Sequence, residues 1–264
     1  MAIPHLVRMA NGDLLRRSYA VTPGQFVRTM SIILEVPEET VTQHDRNLVM
    51  AGLRTKGGRG PSAPHVTHLD AARLLAATIG SVRTKDSAET IGAFEKAMLR
   101  GAMDWSDIPS MAHIPKRYVP ARRAMDWSDI SMAHIPKRHI PAMEQLPKRH
   151  SFVGALASII KAVSADEVEA ADWLDARISC ETPIGRASII LASGKLYSYG
   201  PPVKLERQWQ ENLGIHQERQ IYGPTMLLIG LAFRENGLKY ATARKAMEAI
   251  LGAKSSKDEA TAGR

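Results

Sequence analysis

The sequence has one cysteine, Cys180, so no internal disulfide can form and nothing in it requires an oxidising compartment. Aromatic residues make up only 5% of the chain and hydrophobic residues 44%, a balance that suits a mostly helical soluble protein better than a β-sandwich. Long apolar runs are missing as well. The cleanest, Met226 to Phe233, is far too short to span a bilayer, and the first residues, MAIPHLVRMANGDLLRR, contain no apolar core of a secretory signal. A cytoplasmic protein without membrane contact is therefore expected. Motifs of catalysis are absent too. Gly194-Lys195 lacks the upstream glycine of a P-loop, and Ser198 before Gly200 lacks the preceding glycine of a nucleophile elbow. His65 and His68 lie three apart near Asp70, but no further ligand completes a metal site at that spacing. No enzyme, metal or cofactor is expected.

What the chain does have is positive charge, a formal +8 with a pI near 9.7, and the charge is unevenly placed. Residues 1–100 hold 13 Lys+Arg against 9 Asp+Glu and residues 101–150 hold 8 against 5, whereas residues 151–264 hold 14 against 13. A basic front half favours an anionic partner, of which nucleic acid is the commonest inside cells.

Thr40 to Thr67, TVTQHDRNLVMAGLRTKGGRGPSAPHVT, is where that charge acquires a pattern. Val41, Leu48 and Ala51 share one helical stripe, with Thr42, Gln43, Asp45, Arg46 and Asn47 elsewhere on the helix and Gly52 ending it. Arg54, Lys56 and Arg59 follow among Gly57, Gly58 and Gly60 in a loop able to turn tightly while presenting cations. A polar helix face beside a cationic loop meets the two needs of duplex binding: donors and acceptors for base edges, and charge for phosphates. The expected DNA-binding residues are thus Thr42, Gln43, Arg46 and Asn47 at a major groove, and Arg54, Lys56 and Arg59 on the backbone or in a minor groove. Asp45 opposes phosphate and is expected to turn away or to hold Arg46.

Thr22-Pro23-Gly24-Gln25 has the N-cap, N1 and N3 residues of a capping box, so a helix over Phe26–Glu35 is expected to bury Phe26, Met30, Ile33 and Leu34. Val36 to Glu39 breaks it and Thr40 is placed to cap the next helix. Leu53 to Val66 can form a β-wing that leads to a third helix, capped at Thr67 and Asp70, with Leu69, Ala72, Leu75, Ala76 and Ile79 inward. A fourth helix, Ser87–Arg100, presents Ile91, Phe94 and Met98. Residues 1–100 are thus expected to form a winged helix-turn-helix domain.

Ala102–Ala121 and Ala124–Ala142 are near copies, AMDWSDIPSMAHIPKRYVPA and AMDWSDISMAHIPKRHIPA, and Leu146–His150 repeats the IPKRH ending. Duplications so close are tolerated where no core is disturbed, and the six prolines among them interrupt helices, so 101–150 is expected to be an exposed basic linker. Trp105 and Trp127 are flanked by Asp104, Asp107, Asp126 and Asp129, which suits docking to a protein partner as well as gripping a strand of nucleic acid. From Ser151 the composition turns globular. Helices are expected over Phe152–Val163, Ala165–Leu174, Leu205–Asn212, Pro224–Glu235 and Leu238–Leu251, and a small sheet of two or three strands over 176–200, with Cys180 a buried hydrophobe and a hairpin at Ser193-Gly194. Residues 151–252 are thus expected to form an α+β domain, and 253–264 a disordered tail. The fold expected overall is mainly α with a small β component.

The segment 46–77, RNLVMAGLRTKGGRGPSAPHVTHLDAARLLAA, resembles a group of uncharacterised helix-turn-helix proteins of bacterial prophages and mobile elements, especially in alphaproteobacteria. In that group a helix ending in Ala-Gly-Leu leads into a Gly-Arg-Gly loop and a helix opening Met/Val-Thr-x-x-Asp-Ala, here Ala51-Gly52-Leu53, Gly58-Arg59-Gly60 and Val66-Thr67-His68-Leu69-Asp70-Ala71. The resemblance implies a regulator that binds double-stranded DNA, and two-fold symmetric operators make a homodimer the expected form. The alternative is a non-enzymatic adaptor that docks a partner through 101–150.

Overall fold

The computed structural model describes residues 21–55, 65–104, 143, 145–165, 176–182, 185–191, 195–201 and 217–234. Its helices are α1 (Pro23–Leu34), α2 (Glu38–Met50), α3 (His68–Gly80), α4 (Ser87–Lys96), α5 (Phe152–Ser164) and α6 (Gly223–Arg234). Its strands are β1 (Met98–Asp104), β2 (Arg177–Thr182), β3 (Arg186–Ile190), β4 (Lys195–Gly200) and β5 (Gln217–Tyr222). Among the described residues these make a mixed α+β fold with one antiparallel sheet in the order β1-β4-β3-β2-β5.

Several starts follow from local chemistry. Thr22 and Gln25 bond reciprocally at the head of α1, the Thr22 amide to Gln25 Oε1 at 3.1 Å and the Gln25 amide to Thr22 Oγ1 at 3.4 Å. Thr67 and Asp70 do the same for α3 at 2.9 and 3.1 Å, and Ser151 Oγ accepts from the Gly154 amide at 3.1 Å to open α5. α2 departs from expectation: it begins at Glu38 behind Pro37, not at a Thr40 cap. No side chain caps it, and Glu38 and Glu39 in its first turn complement the helix dipole instead. The turn between α1 and α2 places Glu35 in the left-handed region, φ 54° and ψ 37°, an uncommon conformation for a residue with a Cβ. Ser31 Oγ donates to Val36 O at 2.7 Å and the Val36 amide to Ser31 O at 3.1 Å, which hold the turn.

α3 runs through the centre of the molecule. Asp70, Ala71, Ala72 and every residue from Leu74 to Gly80 are buried, and α3 meets α2, α4, α5, β2 and β5. Leu69, expected inward, is 40% exposed on its outer side. Phe233 of α6 packs on Phe26 of α1 and on the His68 ring, with centroids 5.4 and 4.8 Å away, and Phe152 bridges Phe94 and Tyr199 at 5.3 and 5.5 Å. On the sheet, Ile178 and Cys180 of β2, Ala187 and Ile189 of β3, and Tyr197 and Tyr199 of β4 all join this core. Burial pushes the Cys180 thiol and the Tyr199 phenol well above their ordinary ranges.

Two expectations about organisation change. The fourth helix stops at Lys96, and Met98 to Asp104 becomes strand β1, the sheet's edge beside β4, leaving Met98 37% exposed. The chain therefore crosses from the front half into the sheet of the back half, and one buried cluster runs through the described parts of both expected domains. The expected linker is likewise built in at its two ends, at 101–104 and again at Met143 and 145–150, where Met143 and His150 are buried. The sheet has five strands where two or three were expected over 176–200, because β1 and β5 join it from outside that stretch; the β3–β4 pairing occurs as expected, with Ile190 opposite Leu196. Residues 105–142, the Ser193-Gly194 turn, the expected helices over 166–174, 205–212 and 238–251, and the tail 253–264 lie outside the described residues.

Candidate nucleic-acid interface

The α2 helix is thirteen residues long and buries three of them, Val41, His44 and Leu48. Ala51, expected on that stripe, is exposed, and His44 takes its place. Position 44 lies midway between 41 and 48 on a helical face, so the imidazole enters the core and needs a partner there. It finds Ser87: the Ser87 hydroxyl donates to Thr84 O, and its lone pair accepts from His44 Nδ1 at 2.8 Å. Burial first, and the Arg219 cation second, push the His44 pKa down to about 4.

With that stripe inward, Gln43 and Arg46 are exposed, while Thr42 and Asn47 are half-buried at its edges. Asn47 is already engaged. Its Nδ2 donates to Thr84 O at 2.6 Å and its Oδ1 accepts from Gln43 Nε2 at 3.0 Å. That bond brings the turn Arg83–Asp86 alongside α2 and adds exposed Lys85 to the same side of the molecule. Arg83 extends from the turn with its guanidinium against Asp86 at 2.9 Å. Sequence reading missed Lys85 because it is far from α2 along the chain, and only tertiary contacts such as Asn47–Thr84 and His44–Ser87 bring them together.

Arg54 does not reach outward. Its side chain is 4% exposed and paired with Asp45, itself 14% exposed. Asp45 thus holds Arg54, where it had been expected to turn away or to hold Arg46. Burial lowers the Arg54 pKa, and the Asp70 carboxylate opposes that shift. Arg73 reinforces the same point from α3, donating to Leu53 O at 2.6 Å and to Glu95 at 2.6 and 2.8 Å. Gly52, at φ +69°, turns the chain out of α2 in a conformation that favours glycine. The far end of the loop is fixed by the Val66 amide on Val21 O at 3.0 Å. The loop therefore leaves and re-enters the body at anchored points, with Arg54 as one anchor. Lys56, Arg59 and the expected wing over 56–64 lie outside the described residues.

The arrangement has a polarity. Glu38 and Glu39 occupy the N-terminal turn of α2, Glu38 3.6 Å from Arg28, so Gln43 and Arg46 lie beyond the acidic end of the helix. Met50, 83% exposed, ends that edge. Among the described residues no group of three His, Cys, Asp or Glu is placed to hold a metal ion, and no helix is long and apolar enough to cross a membrane. No protein-family model, curated protein or solved structure matches the chain.

Proposed function

We propose that the chain is a non-enzymatic, cytoplasmic protein that binds double-stranded DNA, a regulator of the phage or mobile-element type. In this reading α1, the turn at Glu35 and α2 serve as the helix-turn-helix, and the Leu53–Val66 loop as its wing. Gln43 and Arg46 reach base edges, Thr42 lies at the margin of the contact, and Lys85, Lys56 and Arg59 neutralise phosphate. Arg54 and Asn47 move from contact residues to supports: one fixes the loop's root, the other sets the helix against the 83–86 turn. The observation that supports the reading is the exposed Gln43–Arg46 edge of an α2 whose opposite face is anchored in the core and whose Asn47 is bonded to the turn that carries exposed Lys85. A homodimer on a two-fold operator follows from the same picture.

The test is a comparison of variants on several duplex sequences. Lys85→Ala should weaken binding to all of them alike and lower the salt slope by about one phosphate contact, whereas Gln43→Ala should relax preference at one position. Uniform loss from both would remove Gln43 from the groove.

The adaptor reading stays in view for one reason: the third copy of the repeated motif, Leu146–His150, is packed into this protein's own body, with His150 buried. A motif that docks once has the chemistry to dock elsewhere.

A further inference from the structure

The repeat is longer than its IPKR signature. Met111-x-x-Ile114-Pro-Lys-Arg-Tyr118, Met132-x-x-Ile135-Pro-Lys-Arg-His139 and Met143-x-x-Leu146-Pro-Lys-Arg-His150 share one eight-residue pattern. In the third copy the shared apolar and ring positions are the ones used: Met143 is 3% and His150 8% exposed, and Leu146 packs on the core. Lys148 and Arg149 stay exposed.

The seat is built from β1, β4 and the chain entering α5. Pro147 O can only accept, so His150 Nδ1 carries the hydrogen of their 2.7 Å bond and Nε2 faces the Tyr199 hydroxyl at 3.0 Å. The two rings meet edge-on at 5.6 Å. Main-chain bonds complete the fit: the Leu99 amide to His150 O at 3.0 Å, the Phe152 amide to Ala97 O at 2.9 Å, and a bridge between Met98 and Ser151.

We propose that this seat is a docking site for the motif itself, and that residues 132–139 of the same chain are its second occupant, in competition with 143–150. Their methionine, aliphatic residue, proline and histidine stand at the same spacing, so Met143, Leu146 and His150, the positions of the third copy that are buried or packed on the core, each have a counterpart. Being in the same chain, they are held at a high effective concentration that a separate partner lacks. One difference sets the order of preference. The second residue after the histidine is Phe152 in the third copy, whose amide bonds Ala97, but Pro141 in the second copy, which has no amide hydrogen to give. The first copy has Pro120 there and Tyr118 in place of histidine, two departures, so it ranks last. The resident copy is therefore the favoured one and 132–139 the minor one, eleven residues upstream.

Disulfide trapping in the full-length chain tests this, because Cys180 is buried and its thiol is held protonated. Met98→Cys with Ser151→Cys reports the resident state and should oxidise readily, since bridged positions lie within disulfide reach. Met98→Cys with Ile140→Cys reports the exchanged state. It should give a minor intramolecular cross-link, severalfold above an off-motif control, Met98→Cys with Ile130→Cys. Pro141→Phe, which restores the amide without touching the resident copy, should raise it severalfold again, as should His150→Ala. An Ile140 yield equal to the control with Pro141→Phe present, or a cross-link formed only as a disulfide-linked dimer, would overturn the assignment of 132–139 as the same-chain occupant.

Discussion

α2 and α3 are both thirteen residues long and both belong to the front of the chain, yet α3 buries ten residues and α2 three. The difference separates two jobs. α3 is apolar nearly all round and is enclosed by helices and sheet, as such a helix must be, whereas α2 commits one narrow stripe to the core and leaves a polar edge outside. Stability should therefore be concentrated in α3, and any ligand contact in α2.

The sharpest way to break this contrast is to truncate α3. Leu75→Ala removes a fully buried side chain and should cost about 2–5 kcal/mol in a denaturant melt. A loss below roughly 1 kcal/mol would mean that α3 is not the centre it looks to be. Gly80 makes the same point by addition, since a Cβ there would run into the Phe94 ring.

Arg54→Ala comes next. It strands the Asp45 carboxylate in a half-buried place and should destabilise the fold by about 3 kcal/mol, because removing one partner of an enclosed ion pair leaves the other uncompensated. Had Arg54 been a DNA contact alone, stability would be unchanged and only affinity would fall.

A smaller effect is expected from pH. His44 titrates near 4 in the folded chain and at an ordinary 6.5 when unfolded. The unfolded state therefore binds the extra proton between these values, so stability should fall as pH drops from about 6.5 to about 4, by about 3 kcal/mol in all. His44→Gln should flatten that part of the pH profile, measured by thermal melts across the range; a profile as steep as the parent's would assign the dependence to other groups.

The smallest stability effect belongs to α2's outer edge. Arg46→Ala should shift the melt by less than about 0.5 kcal/mol, as is usual for an exposed side chain without a buried partner.

Where a structural signal is local, the sequence contains it. The two reciprocal caps at Thr22–Gln25 and Thr67–Asp70, the Ser151 cap and the β3–β4 pairing each depend on residues a few positions apart, and each could be read in advance. β1 could not. Met98 to Asp104 follows a helix without an alternating pattern, and its strand state is decided by partners about a hundred residues later, Met98 opposite Gly200. The candidate interface divides in the same way. The exposure of Gln43 and Arg46 follows from helical periodicity, but Arg54 turns inward because Asp45 is placed to receive it and Arg73 fixes the adjoining Leu53 carbonyl. His44 was an ordinary polar residue until Ser87 came within 2.8 Å. Charge counting located the basic half of the chain and could not tell which cations are structural.

The direct test of the central claim is a fluorescence-anisotropy titration of the full-length chain with duplex DNA at two salt concentrations, for the parent and for Arg46→Ala. The full chain is needed because β1 completes its pairing only with β4. The account predicts binding that weakens steeply as salt rises, and a several-fold weaker Arg46→Ala variant with an unchanged melt. Absent or salt-insensitive binding, or an Arg46→Ala variant that binds like the parent, would contradict it.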